Sequence, residues 1–406
     1  MKRIAIIATL DTKSVEVAFA RSLIEKGGHR AVLIDIGVFG EPGIAPDVTR
    51  EEILRGHGVA WSEVAQCGKG RRIELMAQAV APFVARLYAQ GRFDAVFAMG
   101  GIQNTLMAAN AMRALPVGVP KLILSTMASG MRLFGPFVGT KDIAVMHSVA
   151  DISGINMVTG NVMATAVAAI VGMAENGPGP LGAPAGTIVG VTMLGVTGGG
   201  ATAAARTVRD AGFETISFHA TGVGGAAMEK FIAQGTIGAA LDMTLHEITG
   251  EVFGGYCSGA VGRLSAAAAA GIPQVVVPGA VDMLSCCADF GTEGFPADWR
   301  TRKKIQHNAN LFHVKLNREE IERVAALIAT RLNAAAGPVT VLIPARGFCE
   351  AGAPGGDLHD PEIDRSFVAR LRQELKPRIK FAEVELNICQ PEFGELAARE
   401  LLKYFA

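Results

Sequence analysis

The sequence predicts an α/β fold: two tandem doubly wound, Rossmann-like domains with mainly parallel sheets facing across a cleft. Three observations carry this over the 406 residues. Short continuous apolar runs alternate with segments of helical spacing, the pattern of strands covered on both faces. Those runs end in Gly, Ser, Thr and Asn. The plan also recurs, with the first two strands about 28 residues apart in each half, a length that suits a βαβ unit.

The elements follow in order. Residues 4–9 form a buried strand. Residues 14–26 place Val15, Phe19, Leu23 and Ile24 at helical spacing, and Gly27-Gly28 stops the helix. Residues 31–36 form the second strand, and the crossover is right-handed. Residues 42–70 are polar and punctuated by Gly and Pro, with a short helix near 50–55. A long amphipathic helix covers 71–90. Strands at 95–99, 122–125 and 143–147 follow, then a helix over 156–174. That helix is apolar and about as long as a membrane span. Its Thr159, Gly160, Asn161 and Thr165 and its lack of close basic flanks predict a buried core helix and no membrane partner.

The run Glu175-Asn176-Gly177-Pro178-Gly179-Pro180-Leu181-Gly182-Ala183-Pro184 is rich in turn formers and reads as a linker. It separates an N-terminal nucleotide-binding domain, 1–180, from a C-terminal domain, 185–406. In the second half, strands are expected at 187–194, 215–219, 237–243, 274–278, 339–343 and 379–387. Helices are expected at 201–210 and 392–404.

Lys+Arg and Asp+Glu are both 38, so no excess of positive charge points to nucleic acid. Six cysteines without a C-x-x-C, behind a start with no signal-peptide pattern, predict a reducing, cytoplasmic setting. The basic run 300–304 reads as a solvated loop, with a phosphate contact as the sharper alternative.

Ligands of open parallel sheets bind beyond the carboxyl ends of the strands. No G-x-x-x-x-G-K-[ST] occurs, so a nucleotide must bind without that loop. Thr9, Asp11, Thr12 and Lys13 follow the first strand. Their hydroxyls and the helix amides suit phosphate oxygens, Lys13 neutralises charge, and Asp11 is placed to take Mg²⁺ through water. The plain alternative makes Asp11 a helix cap. Gly100 and Gly101 admit a ligand close to the backbone, and Gln103, Asn104 and Thr105 add neutral hydrogen bonds. Ser125, Thr126, Ser129 and Gly130 repeat that logic.

In the second half, Gly199, Gly200, Thr221, Gly222, Gly224, Gly225, Asp282, His307 and Asn308 are candidate substrate contacts. Gly222, Gly224 and Ala227 form a G-x-G-x-x-A variant with Asp242 about 20 residues on. Titratable groups gathered at strand ends define a second reading, an enzyme acting on a phosphorylated or carboxylated metabolite in the cleft. There His219 or Glu247 is general base, Asp242 holds a metal or orients the base, and Arg263 or Arg346 clamps an anion. His219, Asp242 and Glu247 are also a candidate divalent-metal set, with the metal itself unidentified.

Several motifs carry a resemblance. They are Ile7-Ala8-Thr9-Leu10-Asp11-Thr12-Lys13, residues 115–121 with 125–130, Ser148-Val149-Ala150-Asp151-Ile152, Phe218-His219-Ala220-Thr221-Gly222, Gly271-Ile272-Pro273 with Pro278-Gly279-Ala280, and Asp360-Pro361-Glu362. Together they resemble the bacterial and plant family related to the inhibitor domain of the tomato mosaic virus resistance protein, over nearly the whole chain. The resemblance implies two α/β subdomains, ATP as ligand and a homodimer or higher homo-oligomer. In plants the domain is fused to a barrel domain. A third reading is therefore a non-catalytic module that meets a separate barrel-type enzyme partner. Ser14 stands where a Gly is common in the family, and Gly198-Gly199-Gly200 replaces a more polar turn.

Overall fold

The computed structural model describes residues 1–128, 135–290 and 294–406. It contains two packed units, Met1–Gly182 and Ala183–Ala406.

The first unit runs β1 (Arg3–Ala8), α1 (Ser14–Lys26), β2 (Arg30–Asp35), α2 (Arg50–Arg55), α3 (Trp61–Val64), α4 (Lys69–Ala89), β3 (Ala95–Gly100), α5 (Ile102–Arg113), β4 (Lys121–Ser125), α6 (Gly135–Val138), β5 (Ala144–His147) and α7 (Met157–Asn176). Its sheet has the order β2-β1-β3-β4-β5, and every pair is parallel. Alternate residues of each strand feed opposite cores. Ala5, Ile7, Val96 and Ala98 join α4 and α5 on one face. Ile4, Ile6, Phe97 and Met99 join α1 and α7 on the other. The chain order reverses between β1 and β3, which makes their carboxyl ends the topological switch point.

Helix α7 lines the core, as expected, but along one face only. Met163, Ala166, Val167, Ile170 and Ala174 pack into the core as one stripe, while Met157 and Val158 are exposed. Its length and hydropathy suit a membrane span, yet only 33% of that window is buried in the protein. Asn156 caps it by accepting from the Val158 and Thr159 amides.

The second unit contains β6 (Ile188–Met193), α8 (Gly198–Asp210), β7 (Glu214–His219), α9 (Val223–Ala233), β8 (Ala239–Asp242), α10 (His246–Phe253), α11 (Ser265–Ala270), β9 (Gln274–Val276), β10 (Met283–Cys287), β11 (Lys304–Gln306), β12 (Leu311–Lys315), α12 (Arg318–Asn333), β13 (Val339–Pro344), α13 (Pro361–Glu374), β14 (Lys380–Val384) and α14 (Pro391–Leu402). Its main sheet, β14-β13-β9-β8-β6-β7, is also parallel throughout. Read from its own first strand, this repeats the order of the first unit with one strand added. An antiparallel sheet, β10-β12-β11, has no counterpart among the described residues of the first unit and was not legible in the sequence.

Gly199 and Gly200, expected to contact substrate ahead of a helix at 201–210, belong with Gly198 to the first turn of α8 itself. A Cβ on Gly200 would lie 1.9 Å from the Ile388 carbonyl oxygen, and one on Gly199 would lie 2.3 Å from that of Cys389. A Cβ on Gly394 of α14 would lie 1.9 Å from the Gly200 oxygen. Gly199 and Gly200 therefore serve close approach of the 388–394 segment rather than a substrate.

Candidate functional site

In the first unit the loops after β1 and β3 enclose a pocket of about 250 Å³ at the switch point. Thr9, Asp11, Thr12 and Lys13 line it from one loop, and Gly101, Gln103 and Asn104 from the other. The Thr9 amide donates to Asn104 Oδ1 at 3.1 Å, tying the two loops together. Thr12 and Lys13 amides turn back to the Thr9 carbonyl, and the Thr9 and Thr12 hydroxyls lie 2.9 Å apart. Gly100 has φ +152°, and a Cβ there would sit 2.8 Å from that of Asn104. The turn into α5 therefore requires a glycine. The first-turn amides of α5 carry the positive end of a 12-residue helix at the pocket wall.

Asp11 does not cap α1. Its Oδ2 accepts from the Phe39 and Gly40 amides at 2.9 and 3.2 Å, while Oδ1 is buried without a partner. Asp35 completes this latch, accepting from the Leu10 and Gly37 amides at 3.0 and 2.8 Å. Burial holds the Asp35 carboxyl above its ordinary range, against the pull of those two amides. Lys13 Nζ donates to the Ile152 carbonyl.

Some expected contacts lie elsewhere. Thr105 and Ser125 are buried and share a 2.7 Å hydroxyl bond, joining α5 to β4 behind the pocket. Thr126 lies beside Gly101, with its Oγ1 3.9 Å from where a Cβ would be. Ser129 and Gly130 are outside the described residues. The sequence reading missed Asp35 and the apolar lining of Val38, Phe39, Ile102 and Met107.

The second unit corrects the catalytic set. Arg263 is fully buried and binds three carboxylates: Glu247 through Nε at 2.9 Å, Glu229 through Nη1 at 2.6 Å, and Asp242 through Nη2. Burial alone would lower its pKa, but the three acids hold it above the ordinary value. It has no arm left to clamp a substrate. Glu247 Oε1 accepts from the Gly222 and Gly225 amides at 2.7 and 3.0 Å. The anion position of the G-x-G-x-x-A turn is thus filled by the protein's own carboxylate. A Cβ on Gly225 would lie 1.7 Å from Glu247 Oε2, and one on Gly224 would lie 2.0 Å from the His219 oxygen, so these glycines make room for buried protein groups.

Glu247 and Asp242 are therefore neither a free base nor metal ligands. His219 is exposed at the end of β7, beside Thr221 in the following turn. Among the described residues no three His, Cys, Asp or Glu side chains gather to hold a metal. Arg346 is exposed and faces Glu385 at 3.7 Å. Asn308 closes a turn by accepting from the Asn310 and Leu311 amides, and His307 meets His313 edge to face with ring centres 5.5 Å apart. In the basic run, Arg302 pairs with Asp298 and Glu320, and Lys303 pairs with Asp360.

Asp282 is buried in a second ionic group. Lys315 Nζ bridges it to Asp364 at 2.7 and 2.8 Å. Burial first, and then the Asp282 charge, push the Asp364 carboxyl up to about 7. Asp364 thus binds its proton more tightly folded than unfolded. Its contribution to stability is full below about pH 4 and is lost as pH rises towards 7. Urea denaturation across that window should show this decline, and Asp364→Asn should flatten it.

The molecule is thus a pair of Rossmann-like, mainly parallel α/β units, the first with a pocket of mixed polar and apolar lining at its switch point. The chain belongs to the Uncharacterised protein family (UPF0261), whose N-terminal domain matches residues 2–178 and whose C-terminal domain matches 186–405. A UPF0261 protein of Clostridium tetani is 36% identical over 404 residues, covering 99% of this chain and 98% of that protein. The tomato ToMV susceptible protein tm-1(GCR26) is 35% identical over 313 residues, covering 76% of this chain and 41% of the tomato protein. Among solved structures, a putative UDP-N-acetylglucosamine 2-epimerase from Listeria monocytogenes is 13% identical, covering 68% of this chain and 78% of that one at a TM-score of 0.24.

Proposed function

We propose that the first unit binds ATP at the β1/β3 switch-point pocket, with phosphates on the 9–13 loop and the α5 N-terminus. The observation that carries this is the convergence of Thr9, Thr12, Lys13 and the first turn of α5 on one pocket. Such a site offers hydroxyls, one ammonium and helix amides to an anion. The reading also rests on the family resemblance.

Mg²⁺ fits the same pocket. A lone carboxylate together with substrate phosphates and waters is an ordinary magnesium environment, and Asp11 Oδ1 is a buried oxygen without a partner. Asp11 would hold the ion from the protein side. When bound, Mg²⁺ neutralises phosphate charge. Asp11 is otherwise a repulsive neighbour for phosphate, so ATP is expected to bind better with Mg²⁺ than without. Calorimetric titration of ATP with and without Mg²⁺ tests this. Asp11→Asn should shrink the magnesium effect while keeping the amide-facing oxygen. Equal heats with and without Mg²⁺ in the unaltered protein would remove the ion from the site.

A further inference from the structure

We infer that the pocket grips the base of its nucleotide by its flat face and does not read its edge, so it accepts purine nucleotides without distinguishing adenine from guanine. This rests on the ATP-site reading above and names the ligand class more broadly.

The apolar part of the lining is Val38, Phe39, Ile102 and Met107. None of these side chains has a hydrogen-bonding group that could tell one base edge from another. Phe39 and Ile102 are 43% and 50% exposed, and both line the pocket. The Phe39 ring has Lys69 Nζ 5.7 Å and the Arg72 guanidinium 6.0 Å from its centre.

Backbone atoms are the usual alternative for reading a base edge, and here most are already committed. The Gly37 amide donates to Asp35, and the Phe39 and Gly40 amides donate to Asp11. The Val38 carbonyl accepts from Arg72 Nη1 at 3.2 Å, and the Gly40 carbonyl accepts from Arg50. The loop thus presents an aromatic face while its own polar atoms hold it in place. Every base has such a face, so stacking tolerates sequence. Strong rejection of a near-isostere needs polar groups built to pair with the favoured one. Two neutral amide side chains line the pocket. Asn104 is buried, with its Oδ1 taken by the Thr9 amide and its Nδ2 without a partner, and Gln103 is the one left with two-sided capacity near the α5 entrance. Its position in the first turn of α5 places it with the phosphate-facing amides.

The test is calorimetric titration of MgATP, MgGTP and magnesium tripolyphosphate into the full chain, its Phe39→Ala and Phe39→Trp variants, and Lys13→Ala. The expected result is ATP and GTP affinities within about fivefold of each other. Phe39→Ala should weaken both nucleotides by on the order of tenfold or more and leave tripolyphosphate unchanged. Phe39→Trp should retain both. An ATP preference above about 100-fold, or equal losses for tripolyphosphate and nucleotides in Phe39→Ala, would overturn the inference alone. Failure of all three ligands to bind the unaltered chain would overturn the ATP-site reading, and this inference with it.

Discussion

Replacing Arg263 by Met is expected to destabilise the second unit by at least about 3–5 kcal/mol, the usual cost of removing one partner from a buried ion pair. The cost should sit at the upper end. Three carboxylates, Glu229, Asp242 and Glu247, lose their common cation while remaining buried. Burial already holds Glu229 and Glu247 above the ordinary carboxylate range with Arg263 in place. Without it, burial would push both carboxyls further up, or the turn at Gly222 would be dragged open. Denaturant unfolding followed by circular dichroism reads the loss. If the variant matched the parent in stability while losing ligand, Arg263 would be a binding residue after all.

Lys13→Ala is the second large effect. A charge-assisted hydrogen bond is worth about 1.5–3 kcal/mol, so MgATP should bind roughly ten- to a hundredfold more weakly. The fold should tolerate the change, since among the described residues it costs the half-buried side chain one bond, to the Ile152 carbonyl. Calorimetry for binding and a melting curve for stability separate the two. An unaltered MgATP affinity would place the phosphates away from this loop.

How far the sequence revealed this molecule follows from the range of each interaction. The strands of both parallel sheets were legible because burial on two faces leaves short apolar runs such as Ile4-Ala5-Ile6-Ile7. The 9–13 and 100–104 loops were legible because a strand ending in small polar residues needs no distant partner to be recognised. Glu247 filling the Gly222 turn was not, because its amide partners lie 22 and 25 residues away and the neutralising Arg263 lies 16 residues the other way. A glycine-rich turn read in one sequence says nothing about whether a ligand or a carboxylate fills it. Phe39 was missed because it lies in an irregular loop, where an apolar residue carries no periodic signal. The β10-β12-β11 sheet was missed for a related reason. Its strands are three to five residues long and mix Ser, Cys, His and Lys with apolar residues, so neither alternation nor a continuous run stands out. Gly199 and Gly200 misled because close packing on the 388–394 segment and room for a substrate ask for the same residue.

The central claim is that the nucleotide sits at the switch point of the first unit. The most direct measurement is a crystal structure of the chain grown with Mg²⁺ and a non-hydrolysable ATP analogue. The account predicts phosphate oxygens on the α5 first-turn amides and on Lys13 Nζ, with the base against Phe39. An analogue held by the second unit, with the pocket lined by Thr9, Lys13 and Asn104 left empty, would contradict it.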